Sequence, residues 1–200
     1  MKKLKFLFTA SRASHIENFH MPAINALRQN GHTVDTATEG YVKENLVDHS
    51  YNLIFQKKIY SPRNIGTINQ LSKIIKSNSY DVIISNTTLA GVITRLAIPK
   101  LKNKPYHIYI CHGYLFNDDN SKKAKLYRSI EKSTSSKIDL LLTMNNDDLE
   151  IAKKYVFCKN IQYINGMGID SNKFPVLSAD ECNSFRKSLG IKENDFVFLC

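Results

Sequence analysis

Short apolar runs alternate along this chain with longer stretches whose apolar positions recur at helical spacing, and that alternation predicts its architecture. Lys5 to Thr9 (KFLFT) reads as a compact strand. Ile16 to Gln29 follows with Ile16, Phe19, His20, Ala23, Ile24 and Leu27 at helical spacing, closed by Gly31, and Pro22 within it predicts a kink or a helix start one turn later. His32 to Ala37 predicts a second strand, Leu53 to Gln56 a shorter third, and Ile65 to Lys76 a helix with Ile65, Ile68, Leu71, Ile74 and Ile75 on one face. The polar stretch Thr38 to Ser50 carries no assignment. Val82 to Ser85 has the continuous apolar character of a fully buried strand, and Leu89 to Leu101 that of an apolar helix with Arg95 near its middle. Tyr106 to Cys111 predicts another buried strand, Lys122 to Lys132 a basic helix, Asp139 to Thr143 a strand and Ile161 to Ile164 the last of this block. Asp147 and Asp148 open a helix to about Tyr155, where acidic groups suit the positive end of the helix dipole. Strands separated by helices of this length predict an α/β fold, a parallel sheet with helices on both faces, wound right-handedly.

Gly166 to Pro175 (GMGIDSNKFP) breaks both periodicities and marks the best domain boundary: a first domain over 1–165, a linker over 166–177 and the start of a second domain over 178–200. Ser178 is placed to cap a short helix with Glu181 in capping-box position, Gly190 to end it, and Asp195 to Cys200 to open an apolar strand. A strand with no following helix and no visible partner leads us to expect a longer protein truncated inside a second sheet.

Composition adds an anionic partner. Of the 200 residues 42% are hydrophobic, ample for a core, and Lys+Arg 28 against Asp+Glu 18 gives a net charge of +10. That balance predicts attraction to nucleic acid, an acidic membrane surface or phosphorylated ligands without choosing among them. Cys111, Cys158, Cys182 and Cys200 are scattered without a CxxC pair or a nearby histidine at zinc-ligand spacing, which argues against a metal site or a disulfide framework and suits a reducing cytoplasm. Lys5 interrupts the apolar run of the opening MKKLKFLFTASRAS and leaves it shorter than the roughly 7 to 15 residues a signal peptide needs. No window approaches the roughly 18 uninterrupted apolar residues of a membrane span, so any membrane contact is expected to be peripheral.

In an open parallel sheet, ligands bind beyond the carboxyl ends of the strands, where strand order reverses. The strand ends here carry Ser11-Arg12-Ala13-Ser14-His15, Asn86-Thr87-Thr88-Leu89-Ala90-Gly91 and His112-Gly113-Tyr114, which together can line one cleft. The buried strand before it would deliver His112 into that cleft, with Gly113 allowing a sharp turn where a β-carbon would obstruct a ligand. The plainer alternatives are a satisfied loop histidine at 112, hydroxyl residues acting as helix caps, and a solvated Arg12. The first loop lacks GxGxxG, and GxxxxGK[ST] and GxSxG are absent, which argues against a dinucleotide dehydrogenase, P-loop hydrolysis and the usual α/β-hydrolase chemistry. Asp118-Asp119 and Asp147-Asp148 read as solvated loop and helix-start residues rather than metal ligands.

The ordered set KFLFTASRASHIENFHMPAINALRQNGHTVDTAT, YDVIISNTTLAGVITRLA, YICHGYLF, LLTMNNDDLEIAKKY and YINGMGIDSNKF resembles the amino-terminal half of bacterial family 4 glycosyltransferases, particularly those making capsular and extracellular polysaccharides. The resemblance implies a GT-B enzyme, with two Rossmann-like domains facing a cleft, the first holding mainly the acceptor and the second the nucleotide sugar. It implies retaining transfer with no cofactor and no metal. It places His112 at the cleft floor near the transferred sugar, as the catalytic position, and Ser11, Arg12, Ser14 and His15 near the donor phosphates and acceptor. Asn86, Thr87 and Gly91 stand where the family often has His-Thr and a Gly pair, and with Gly113 and Tyr114 they complete the expected substrate contacts. The implied partners are a nucleotide-sugar donor, a saccharide or polyprenyl-linked acceptor, and a carboxy-terminal domain or partner subunit that binds the donor. Such a reaction develops charge on a leaving diphosphate, which calls for positioning and cationic groups, with Arg12 the candidate; nothing resembles the paired carboxylates of a glycosidase.

The basic helix SKKAKLYRSIEK carries Lys122, Lys123, Lys125 and Arg128 directly after the His112 loop. The resemblance implies that it rests on the anionic inner face of the plasma membrane and brings a cytoplasmic protein to a lipid-linked acceptor; a solvated charged face is the alternative. Two other functional classes stay open. One is a non-catalytic acceptor-binding half; the other is a nucleic-acid-binding protein, against which the basic helix lacks interleaved aromatics, so no nucleic acid is expected.

Overall fold

Phe6 and Phe8 of β1 (Lys5–Thr9) join one buried apolar cluster and Leu7 joins another, the period-two alternation of a strand covered on both sides. The computed structural model describes residues 2–99, 104–116, 121–156, 158–168, 172, 175–192 and 194–198. Around β1 stand β2 (Thr33–Thr38), β3 (His49–Asn52), β4 (Val82–Asn86), β5 (Tyr106–Cys111), β6 (Leu140–Thr143) and β7 (Ile161–Tyr163). They form a seven-stranded sheet in the order β3-β2-β1-β4-β5-β6-β7, parallel at each pairing. Strand order reverses between β1 and β4, and that reversal opens a crevice beyond their carboxyl ends.

Helices α1 (Ala13–Phe19) and α2 (Met21–Gln29) bring Ile16 and Ile24 against Phe6, Phe8 and Val34. On the other face α3 (Asn64–Asn78) and α4 (Thr88–Ala97) bring Leu71, Ile75 and Ile93 against Leu7 and Ile83. Each such fully buried aliphatic side chain contributes about 1.5–3 kcal/mol. Two more helices, α5 (Lys122–Thr134) and α6 (Asn146–Tyr155), pack beside β5 to β7. The α/β, Rossmann-like architecture read from the periodicities is the one observed. Residues 1–167 form one unit and 168–200 a second, which contains α7 (Ala179–Ser188) with the Ser178–Glu181 capping box in place.

Four expectations are revised. The helix predicted over Ile16 to Gln29 begins at Ala13 and is two helices broken at His20, because Pro22 in the first turn of α2 has no N–H to continue α1. The third strand is His49–Asn52, a polar edge strand paired to β2 through its backbone, whereas Leu53 and Phe55 of the predicted Leu53–Gln56 strand are buried in a loop against α3 and α4. Helix α4 stops at Ala97 with Ile98 already extended, as Pro99 requires; the predicted end at Leu101 lies outside the described residues, as do Asp118-Asp119. Residues 195–198 form no strand: a strand needs a ladder neighbour, and Phe196 and Phe198 are 93% and 89% exposed; Cys200 lies outside the described residues.

Candidate functional site

The turns after β1, β4 and β5 converge with the segment between β3 and α3 on a cleft of about 790 Å³. Ser11 and Arg12 enter from the first turn, Thr87 and Thr88 from the second, His112 and Gly113 from the third, and Lys57 and Lys58 from the fourth side. Hydrogen bonds tie these turns together. Thr88 Oγ1 donates to the Gly113 carbonyl at 2.8 Å, and Thr87 Oγ1 reaches Ser11 Oγ at 3.5 Å. Gly113 has φ of +119°, so its turn requires glycine for the backbone; a β-carbon there would meet no atom of the described residues within 4 Å. Thr87 holds φ 67° and ψ 150°, a region that residues with a β-carbon rarely occupy, at the point where β4 hands over to α4.

The cleft is cationic. Arg12, Lys57 and Lys58 line it with Glu39, the one carboxylate among the described lining residues, and the amino-terminal end of α4 opens onto the same space through Thr87, Thr88 and Leu89. Lys57 and Lys58 are held there by the buried Asn64, whose side chain accepts from the Gln56 amide at 2.9 Å and donates to the Lys58 and Ile59 carbonyls at 3.0 and 3.2 Å. Cations and helix amino termini together suit an anion such as phosphate. A second depression, about 830 Å³, runs along the edge strand β3 between the segment before it and α3.

His112 does not stand alone. Its Nε2 lies 3.3 Å from Nε2 of His15 on α1, and His20, at the break between α1 and α2, packs its ring 5.5 Å from that of His112. Burial lowers the pKa of His112 to about 4, helped by the charge of His15, and lowers His20 to about 3, helped by both of its histidine neighbours. His15 is lowered by burial as well. The imidazoles are therefore neutral near neutral pH. His20 is 1% exposed, and its Nε2 is buried without a hydrogen-bond partner among the described residues.

Of the residues singled out from the sequence, Ser11, Arg12, Thr87, His112 and Gly113 line the cleft. His15 sits behind it against His112, and Ser14 is exposed on the first turn of α1. Asn86 is buried and donates to the Thr9 carbonyl at 3.2 Å, while Gly91 is buried in α4, where a β-carbon would lie 2.7 Å from Tyr109 Cε2. The Tyr114 backbone N–H donates to Asp148 at 3.1 Å, and its hydroxyl is buried. Lys122, Lys123 and Lys125 are exposed on α5; Arg128 is partly buried, with its guanidinium 4.8 Å above the Tyr155 ring. Sequence reasoning missed Lys57 and Lys58, although a dibasic pair after an apolar run was there to be read, and it took His20 for an ordinary position on a helix face.

A family model described as Glycosyltransferase Family 4 matches residues 23–170. EpsD of Bacillus subtilis (strain 168), which carries a glycosyltransferase name, is 29% identical over 98% of this chain and 52% of its own length. The Escherichia coli UDP-Gal:alpha-D-GlcNAc-diphosphoundecaprenol alpha-1,3-galactosyltransferase is 29% identical over 68% of this chain and 35% of its own length. This chain thus spans about half the length, or less, of these relatives. Among solved structures, HepE of Anabaena in complex with UDP and glucose shares the fold with a TM-score of 0.65 and 14% identity, covering 94% of this chain and 50% of that one. No helix among the described residues is long and apolar enough to cross a membrane.

Proposed function

This chain belongs to Glycosyltransferase Family 4, and from that premise we propose that it is the acceptor-side half of a GT-B transferase moving a sugar from a nucleotide sugar to a saccharide or polyprenyl-linked acceptor in cell-surface polysaccharide synthesis. The observation that carries the proposal is the cationic cleft at the β1/β4 reversal, with His112 beside Arg12, Lys57 and Lys58. Both substrates of such a reaction present diphosphates, and the acceptor in the name of the Escherichia coli relative is diphosphoundecaprenol-linked. Three side-chain cations and a helix amino terminus can neutralise phosphate charge as a glycosyl–phosphate bond breaks, so the retaining transfer is read as needing no metal. His112, neutral near neutral pH, offers a ring nitrogen to a sugar hydroxyl at the cleft wall without the cost of desolvating a charge. The protein works in the cytoplasm, peripherally on the inner face of the plasma membrane, with α5 as the contact.

The test is transfer of labelled sugar from a nucleotide sugar to a diphosphate-linked polyprenyl saccharide by the protein that carries this chain. His112→Ala should lower kcat/KM at least about tenfold while urea unfolding stays within about 1 kcal/mol of the parent. Unchanged transfer, or losses of fold and activity in step, would overturn the assignment of His112. A second reading follows from the chain spanning about half of its relatives: it binds acceptor and does not transfer alone. Turnover of UDP- or GDP-sugar by purified residues 1–200 would refute that reading.

A further inference from the structure

The geometry points to a transition-metal site formed by His15, His20 and His112, behind the cleft wall. One ring nitrogen from each of these three side chains lies within 4.8 Å of the other two. Zinc–imidazole bonds of about 2.0–2.1 Å in a tetrahedral site place neighbouring ligand nitrogens about 3.3–3.4 Å apart. The observed separation of His15 Nε2 and His112 Nε2 is 3.3 Å, which already matches one edge of that tetrahedron. His20 must close the remaining gap, and its ring is packed 5.3 Å from His15 and 5.5 Å from His112 with a buried Nε2 that has no partner among the described residues.

The chain path explains why the cluster exists. His15 and His20 stand five positions apart, a spacing that would turn their side chains to widely separated faces of one continuous helix, which advances about 100° per residue. The break at His20 between α1 and α2 removes that constraint, and the turn after β5 delivers His112. Phe8 and Phe19 pack against the histidine rings, with centroids 6.1 Å from His20 and 5.0 Å from His15, and give the cluster an apolar shell. An all-imidazole donor set in such surroundings selects Zn²⁺, Co²⁺ or Ni²⁺ over Mg²⁺ and Ca²⁺, which take oxygen ligands. With three protein ligands, the fourth position is left for water or an oxygen of a bound ligand. Binding would take up Nε2 of His112, a residue that the proposed transfer also uses, and the test reads metal binding without depending on transfer.

Untagged residues 1–200 are titrated with Zn²⁺, and separately with Co²⁺, by calorimetry and visible absorption. The expected result is one saturable Zn²⁺ site per chain, an intense tetrahedral Co²⁺ spectrum that Zn²⁺ bleaches, and a Tm that rises with Zn²⁺, returns with EDTA and ignores Mg²⁺. His15→Gln and His112→Asn, both at partly exposed positions, and His20→Gln should each weaken binding at least about tenfold, whereas His49→Gln on the distant edge strand should not. Circular dichroism identifies any variant that fails to fold, leaving the others to decide. Absence of saturable one-to-one binding would overturn the site, as would equal affinity in the folded His15 and His112 variants. In either case the 3.3 Å contact is a hydrogen bond between two neutral imidazoles.

Discussion

His107 should make the folded protein acid-labile, by an amount the structure allows to be worked out. The ring is fully buried in β5, with Nε2 2.8 Å from Ser85 Oγ and Nδ1 3.2 Å from the Lys137 carbonyl. Those partners select the neutral tautomer in which Nδ1–H donates to the carbonyl and Nε2 accepts from the hydroxyl. Burial lowers its pKa from 6.5 to about 3; the charges of Arg95 and Lys104 push in the same direction, opposed by the Lys137 carbonyl and Asp139. Below about pH 6.5 the unfolded chain therefore binds a proton that the folded chain refuses, so stability is full above that pH and is lost as pH falls toward the folded value. At about pH 5 the loss is about 1.5 units at 1.36 kcal/mol each, or about 2 kcal/mol. The assay is urea unfolding of the parent and of His107→Gln, which cannot titrate, from about pH 7.5 to about pH 5. The variant should be the less stable at the upper pH, and the gap should shrink by about 2 kcal/mol at the lower one. A gap that stays constant would show that His107 takes up its proton in the folded state, and would refute the reasoning.

Arg95 and Glu131 form a buried pair, 0% and 1% exposed and 2.5 Å apart, so Glu131→Ala should cost about 3–5 kcal/mol in urea unfolding by leaving a guanidinium uncompensated; a loss under about 1 kcal/mol would mean the pair contributes no more than a surface bridge. Gly91→Ala forces a β-carbon to 2.7 Å from Tyr109 Cε2 and should destabilise by about 1–3 kcal/mol, whereas Gly66→Ala on α3, with no atom of the described residues within 4 Å, should be neutral or stabilising. Equal effects at the two glycines would dismiss close packing as the reason for Gly91. If α5 contacts membrane, the chain should sediment with anionic vesicles at low salt, and changing Lys122, Lys123, Lys125 and Arg128 to Gln should release it, since each cation contributes roughly 1 kcal/mol near such a surface. Arg128, stacked on Tyr155, is expected to contribute least of the four.

The central strands were legible because burial on both faces writes a continuous apolar run, as in Val82 to Ser85 and Tyr106 to Cys111. The edge strand β3 was not, because HSYN is held by backbone pairing to β2 and needs no apolar pattern, while the apolar Leu53 and Phe55 beside it serve the core from a loop. Helix-breaking at Pro22 could be read, but its consequence for His20 could not: convergence of residues 15, 20 and 112 depends on where the break falls and on which strand lies opposite. The same holds for Lys57 and Lys58, whose place in the cleft is fixed by the side chain of Asn64 several residues later.

The backbone of Thr87 sets how stability is distributed. Its φ of 67° and ψ of 150° cost about 1–3 kcal/mol relative to a relaxed conformation, and its carbonyl accepts the 2.9 Å hydrogen bond from the Gly91 amide that opens α4. Strain at the acceptor subtracts from the free energy needed to open that bond, so the cleft edge should fluctuate open more often than the sheet it is built on. Native-state hydrogen exchange can show this: despite its burial, the Gly91 amide should exchange well before that of Ile84 in β4. If the two exchange together only on global unfolding, the turn is as rigid as the strand, and the cleft owes its shape to the whole domain.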